Sequence, residues 1–183
     1  RRYALKQVIT MPRTLSTKRL LLRPLAGVDA AWLASTWRMP EIYRYAASIP
    51  PDVDTEFAHE RIRQANEGEE AGTMISRLIE IDDNRAGMIG LGRSHRGEAY
   101  SLGYHLHPDF WSQGIMTEAG TALLEWTDSF IAPRYYVSGH FADNPKSSHV
   151  LRKLGFMPCW RSKVFSAGRN ENADHVYMSR LVE

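Results

Sequence analysis

Two short stretches of this 183-residue chain bring together residues able to do chemistry. The first is Trp111-Ser112-Gln113-Gly114-Ile115-Met116-Thr117, between a strand-like run ending at His107-Pro108 and a long helical run. A helix start leaves its first N–H groups without intrahelical partners and carries the positive end of the helix dipole. Gly114 lets the backbone approach a ligand closely. Such a loop can cradle a diphosphate, although the same spacing suits an ordinary strand-to-helix connection. The second stretch is Asp143-Asn144-Pro145-Lys146-Ser147-Ser148. Asn144 before Pro145 is a good helix cap that needs no ligand to explain it. Ser147, three residues on, brings a hydroxyl near the same helix mouth.

Other chemically suggestive patterns lead nowhere. Gly87-Met88-Ile89-Gly90-Leu91-Gly92 looks like a nucleotide glycine box, but it lies within a strand and no helix follows. His105 and His107 share a strand face with Asp109 nearby, yet a zinc site needs a further ligand. No metal is therefore expected. Cys159 reads as a small packed residue.

These stretches must be held by a scaffold, and the periodicities sketch one. Lys18–Pro24 reads as an opening strand, followed by a helix from Asp29 through Trp32, Leu33 and Trp37. Pro40, Pro50 and Pro51 mark 40–52 as a loop, and 53–66 reads as a second amphipathic helix ending near Gly68. Strands follow at Thr73–Ile81, Ala86–Ser94 and Ala99–His107, with turns at Asp82-Asp83-Asn84 and Arg96-Gly97. Tyr100, Leu102, Tyr104 and Leu106 share one face of the third of these. From Gly114 the period becomes helical through Ile115, Ala119, Ala122, Leu123, Trp126 and Phe130, and Pro133 ends it. Arg134–Phe141 is a strand whose Tyr136, Ser138 and His140 are expected on its polar face. A short helix capped by Gly155 and strands near Met157–Phe165 and His175–Val182 complete the order. The fold class is α/β or α+β, a mixed sheet with helices on its faces.

Composition narrows the function classes. Hydrophobic residues are 43% and charged residues 24%, as in ordinary globular chains. Lys+Arg is 23 against Asp+Glu 21, a formal charge of +2, too balanced to imply a nucleic-acid partner. The basic residues gather at the N-terminus: Arg1, Arg2, Lys6, Arg13, Lys18, Arg19 and Arg23. A single cysteine excludes an internal disulfide and suits a reducing, cytoplasmic setting. No apolar run approaches the ~18 residues of a membrane helix. The chain opens on Arg1 and Met11-Pro12 reads as a natural start, so residues 1–12 are read as a tag or non-native leader. Residues 13–183 are then one domain.

Taken in order, Thr17-Lys18-Arg19-Leu20-Leu21-Leu22-Arg23, Gly103-Tyr104-His105-Leu106-His107-Pro108, Trp111 through Ala119, and Asn144-Pro145-Lys146-Ser147 with Leu151-Arg152-Lys153-Leu154-Gly155-Phe156 carry a resemblance. Together they resemble the GNAT superfamily of acetyl-CoA-dependent N-acetyltransferases, in its RimJ/RimL-like, ribosomal-protein-acetylating branch, over residues 15–182. The resemblance implies a central mixed sheet of about six or seven strands, splayed between the fourth and fifth, with about four helices. It puts the diphosphate loop on Trp111, Ser112, Gln113, Gly114, Ile115, Met116 and Thr117. Only Gly114 matches the family's central pattern, and Met116 is expected to crowd the phosphates. It puts the strand that pairs with pantetheine on His105, Leu106 and His107, and the pantetheine-binding asparagine on Asn144.

For catalysis, the resemblance implies direct acetyl transfer from acetyl-CoA to a primary amine, either a protein N-terminus or a small amine. Ser147 falls where this branch places a hydroxyl near the CoA sulfur and is the candidate acid. The base is open, because Ser101 stands where many relatives carry glutamate. His140 and Glu80 are the candidates, against the plainer readings of a hydrogen-bonded strand histidine and a surface carboxylate. Glu118 is explained by the helix dipole alone. Trp32, Trp37, Tyr43 and Tyr45 suit an acceptor pocket or a core, and residues 38–52 and 166–173 carry no decodable acceptor signature. Relatives of this branch often pair as homodimers. The alternatives are a catalytically weak acetyl-CoA-binding regulatory module and an RNA-associated protein using the basic N-terminus.

Overall fold

A computed structural model describes residues 12–93 and 99–182. The order is β1 (Leu15–Ser16), β2 (Leu20–Arg23), α1 (Ala30–Trp37), α2 (Pro40–Tyr43), α3 (Thr55–Glu70), β3 (Met74–Ile81), β4 (Asn84–Arg93) and β5 (Ala99–Leu106). Then come α4 (Ile115–Phe130), β6 (Tyr135–Phe141), α5 (Pro145–Lys153), β7 (Met157–Ser166) and β8 (Glu171–Leu181). All eight strands form one sheet ordered β1-β2-β3-β4-β5-β6-β8-β7. The strand beyond the expected count is the two-residue β1, folded back on β2. The extra helix is the single turn α2, begun by Pro40, whose fixed φ suits a first helical position. The turn at Arg96-Gly97 and the leader assignment for residues 1–11 lie outside the described residues.

Each face of the sheet has its own core. Leu33, Trp37, Ala58 and Ile62 of α1 and α3 bury against Leu78 on one face. Ile115, Ala119 and Leu123 of α4 and Leu151 of α5 bury against Ile89, Leu102 and Tyr136 on the other. The helices α1 and α3 cover the β2–β5 half of their face. Over β6, β8 and β7 that face is open, with Met157, Trp160 and Leu181 two-thirds or more exposed.

This uneven cover corrects two expectations. Tyr136, Ser138 and His140 lie on the core face of β6, at 0%, 7% and 9% exposure, whereas Val137 is only half-buried. The polar atoms tolerate burial because each has a partner: Tyr136 donates to Asp128, Ser138 to the Leu102 carbonyl, and His140 Nδ1 pairs with the Phe141 carbonyl. Cys159 is exposed, at a register shift in the edge strand β7, and is not packed. Two boundaries also move. Helix α3 runs past Gly68 to Glu70, and Gly72 (φ +70°) turns the chain after it. Strand β8 starts at Glu171, because β7 and β8 form one long hairpin.

All strand pairs are antiparallel except β5–β6. That parallel pairing lasts three residues, Ala99–Ser101 against Tyr135–Val137. Beyond it the two strands part, and Ser138 Oγ donates to the Leu102 carbonyl at 2.8 Å where they separate. The long fourth and fifth strands of the sheet are therefore splayed, and the starts of both α4 and α5 lie at the open end.

Candidate active site

The opening between β5 and β6 owes its polarity to strand alternation. His107 N–H donates to the Ala86 carbonyl (2.8 Å), which fixes the phase of the β4–β5 ladder. Gly103 and His105 then direct their backbone groups to β4, and Leu102, Tyr104 and Leu106 direct theirs to β6. Of His105, Leu106 and His107, Leu106 alone turns its backbone toward the opening. Its carbonyl accepts a 2.6 Å hydrogen bond from Trp111 Nε1, so its N–H is the polar group it has to offer there. Lys146 Nζ sits 3.9 Å from the centre of the Trp111 ring, joining the two helix starts across the opening.

On the α4–α5 side, Asn144 caps α5 by accepting from Ser147 N–H at 3.2 Å. The Ser147 hydroxyl lies 2.8 Å from the Tyr104 hydroxyl, which also donates to the Ser147 carbonyl at 3.2 Å. Burial pushes the Tyr104 pKa up to about 12, so it stays a neutral phenol across the physiological range. His140 shares this face of the sheet. Its Nδ1 donates to the Phe141 carbonyl in the neutral form, which leaves the Nε2 lone pair to accept a proton.

The start of α4 has the form of an anion cradle. Ser112 (φ +61°) and Gly114 (φ +75°) take the left-handed conformation that turns the chain into the helix. Gln113 donates its side-chain amide to the Asp109 carbonyl. Ile115 and Met116 are buried in the core. Met116 therefore does not crowd the mouth, and Thr117 follows half-buried in the same turn. Arg19 stands beside this turn, with Nη1 donating to the Gln113 carbonyl at 3.0 Å. Glu118 aims it: one carboxylate oxygen accepts from Arg19 Nε at 2.7 Å, the other from Arg19 N–H and the Thr17 hydroxyl. This mouth offers the first-turn N–H groups of α4 and a neighbouring guanidinium, donors of the kind that bind a diphosphate.

The remaining predicted residues lie elsewhere. Glu80 accepts from Arg23 at 2.8 and 2.9 Å, and two strands, β4 and β5, separate it from β6. Arg23 and Arg85 also grip the fully buried Asp29, whose pKa is about 2: burial opposes its charge, but these hydrogen bonds outweigh it. The His105 ring points to the α1 side, where its Nε2 accepts from Trp37 Nε1 at 3.2 Å. Burial pushes its pKa down to about 4, and because tryptophan only donates, the neutral ring keeps its proton on Nδ1. His107 Nδ1 accepts from Asp109 N–H and caps a short turn. Among the described residues no group of three or more His, Cys, Asp or Glu is arranged to hold a metal. No described helix is long and apolar enough to cross a membrane. In the N-terminal basic cluster, Arg13, Arg19 and Arg23 are paired with Glu69, Glu118 and Asp29.

Sequence reasoning missed Tyr104 and Arg19 as site residues. Tyr104 reads as a member of an apolar strand face, and the available signal was that a buried tyrosine hydroxyl requires a partner. Arg19 and Glu118 lie far apart in sequence, and nothing local links them.

Comparison with known proteins supplies independent observations. The sequence profile described as an acetyltransferase (GNAT) domain matches residues 19–157. No curated protein matches the sequence significantly. Among solved structures, a RimL ribosomal L7/L12 α-N-protein acetyltransferase in complex with coenzyme A superposes with a TM-score of 0.82 at 19% identity, covering 92% of this chain and 98% of the other. The microcin C7 self-immunity acetyltransferase MccE, in complex with acetyl-CoA and AMP, gives 0.81 at 18%, covering 94% and 98%. A ribosomal-protein-S5-alanine acetyltransferase from Vibrio fischeri gives 0.77 at 18%, covering 92% and 96%.

Proposed function

The chain belongs to the GNAT acetyltransferase family, and from that premise we propose that it is an N-acetyltransferase moving acetyl directly from acetyl-CoA to a primary amine in a ternary complex. The observation that carries the reading is the Tyr104–Ser147 hydroxyl pair at the opened β5–β6 edge, beside the Asn144 cap. The α4 mouth and Arg19 hold the diphosphate, and the Leu106 edge and Asn144 meet the pantetheine arm. Leu106 N–H is the donor for the developing oxyanion.

The reaction forms an N–C bond and breaks the C–S bond. The proton that the attacking amine must lose passes by way of water through the β5–β6 opening to His140 on the α4–α5 face. Ser147, its hydroxyl held in place by the neutral, half-buried Tyr104, delivers a proton to the departing thiolate and regains one through water from protonated His140, so the proton lost by the amine ends on the thiol. Glu80 serves the Arg23–Asp29–Arg85 network and takes no part in proton transfer. Helices α4 and α5 fill one face of the sheet, so the amine approaches from the other. That approach is bounded by His105 and Trp37, the loop after α2, and the β7–β8 hairpin tip. The α-amine of a protein N-terminus is the favoured acceptor, in keeping with what the named RimL and S5-alanine enzymes act on. The exposed Met157, Trp160, Tyr177 and Leu181 on the open face suit self-association as a homodimer.

Two measurements test the reading. Acetyl-CoA at a hundred times its Kd is expected to stabilise the fold by about 3 kcal/mol. Thiol release is then followed across small amines and short peptides with free N-terminal serine or alanine. Binding without turnover on any amine overturns the enzyme reading in favour of a CoA-binding module, and absence of binding overturns both. Light scattering of the same sample reads the mass of the assembly.

A further inference from the structure

Three segments that lie far apart in sequence meet at one guanidinium. Arg169, at the tip of the β7–β8 hairpin, makes a two-pronged ion pair with Asp143, at 2.9 and 3.0 Å. Its Nε donates to the Arg44 carbonyl at 2.6 Å, in the loop after α2. The guanidinium lies between two rings, 4.7 Å from the centre of Phe141 and 5.3 Å from that of Tyr45. Ala167 N–H donates to the Ala47 carbonyl at 2.9 Å, and the fully buried Ser166 accepts from Arg169 N–H. Gly168 packs so closely on Tyr43 that a Cβ there would collide with the Tyr43 carbonyl. The side chain of Arg169 is 11% exposed, unusually enclosed for an arginine at a hairpin tip.

The position of the clasp gives it a role. Asp143 precedes Asn144, the cap that orders Ser147, so Arg169 ties the loop at 43–47 directly to the start of α5. An arginine fork fixes direction as well as distance, which a single charge does not. We infer that Arg169 is a positioning residue of the transfer reaction: it holds the acceptor-side loop against the cap of α5 and so sets where the amine sits relative to Ser147. The inference rests on the acetyltransferase reading above. The clasp holds no residue of the α4 mouth, and Asn144 keeps its own bond to Ser147 N–H, so loss of the clasp falls on the acceptor rather than on acetyl-CoA.

The test uses the full chain with Arg169→Ala, Arg169→Lys, Asp143→Asn and Gly168→Ala. Steady-state kinetics use the best peptide or amine from the screen, and calorimetry measures acetyl-CoA affinity. Arg169→Ala is expected to lower kcat/KM for the acceptor about ten- to a hundredfold, the scale set by misplaced reactants. Acetyl-CoA Kd is expected to stay within about twofold, because uniform and acceptor-specific losses separate this way. Arg169→Lys keeps the charge and is expected to recover only part of the loss. Gly168→Ala displaces the tip without touching charge and is expected to reproduce the acceptor defect. Hydrogen exchange of the ligand-free protein is expected to rise at residues 43–48 in every variant. Wild-type acceptor kinetics in Arg169→Ala, or equal losses for acceptor and acetyl-CoA, overturn the inference. If Arg169→Ala does not fold, Arg169→Lys and Asp143→Asn carry the same test with part of the clasp intact. If the wild type acetylates nothing, the transferase reading fails by itself, and unchanged exchange at 43–48 would still refute the clasp.

Discussion

Replacing Ser147 with alanine removes one oxygen from the opened sheet edge while leaving the Asn144 cap in place, because the cap bonds to the backbone N–H of residue 147 and not to its side chain. Helix α5 should therefore persist, and acetyl-CoA affinity should change little. The cost falls on the leaving group, which loses its proton donor. General acid catalysis is worth about 10²- to 10⁴-fold, and a thiolate departs readily, so a loss of about 10²-fold in kcat is expected. Tyr104→Phe leaves Ser147 but frees its hydroxyl from the 2.8 Å partner. One net hydrogen bond is worth about 1 kcal/mol, or roughly a fivefold loss of the oriented hydroxyl population and of kcat. Because Tyr104 acts through Ser147, the double variant should be no slower than Ser147→Ala alone, a non-additivity expected of residues in one network. The assay is thiol release at saturating acetyl-CoA and acceptor, with calorimetric affinities measured in parallel. Wild-type kcat in Ser147→Ala, or multiplying losses in the double variant, would refute the acid role of Ser147 and the positioning role of Tyr104.

Arg19→Gln is expected to weaken acetyl-CoA binding about tenfold, on the order of one charge-assisted contact, while binding of S-acetylpantetheine, which lacks the diphosphate, stays unchanged; equal losses for both thioesters count against a phosphate role. His140→Ala should lower kcat with little change in acetyl-CoA affinity if His140 accepts the amine proton, and an unaltered kcat assigns it to packing alone. Stability should fall as pH drops, in two stages. His105 has a depressed pKa, about 4 against an ordinary 6.5, so the unfolded chain binds its proton first and stability declines from pH 6.5 toward 4. Asp29 is held near 2 against an ordinary 3.8, which adds about 2 kcal/mol above pH 4 that is lost between pH 4 and 2. Urea midpoints across this range measure both, and His105→Gln, which still accepts from Trp37, should remove the upper stage.

What the sequence reveals of this protein follows from the range of the forces involved. Helix α4 is legible because Ile115, Ala119 and Leu123 repeat with the helical period and Gly114 marks the turn before them. The Asn144 cap is legible because a cap bonds three residues along the same chain. The burial of His140 is not legible, because alternation shows that two faces differ but not which one a helix will cover. In β6 the polar residues lie under α4 and α5, and the face carrying Val137 is left open. The exposure of Cys159 is not legible either, because the register shift beside it depends on its partner strand. The Tyr104–Ser147 pair spans 43 residues, the Arg19–Glu118 pair 99 and the Arg169–Asp143 pair 26. No local period or spacing records such contacts, since each partner alone looks like a core tyrosine or a solvated charge. The site is thus divided by physics into two parts. Its backbone elements are written in local periodicity, whereas the side chains that aim them are fixed by tertiary contacts between segments that sequence patterns treat separately. Arg169 shows the consequence most plainly: residues 38–52 and 166–173 are undecodable one at a time because their structure exists only where they meet.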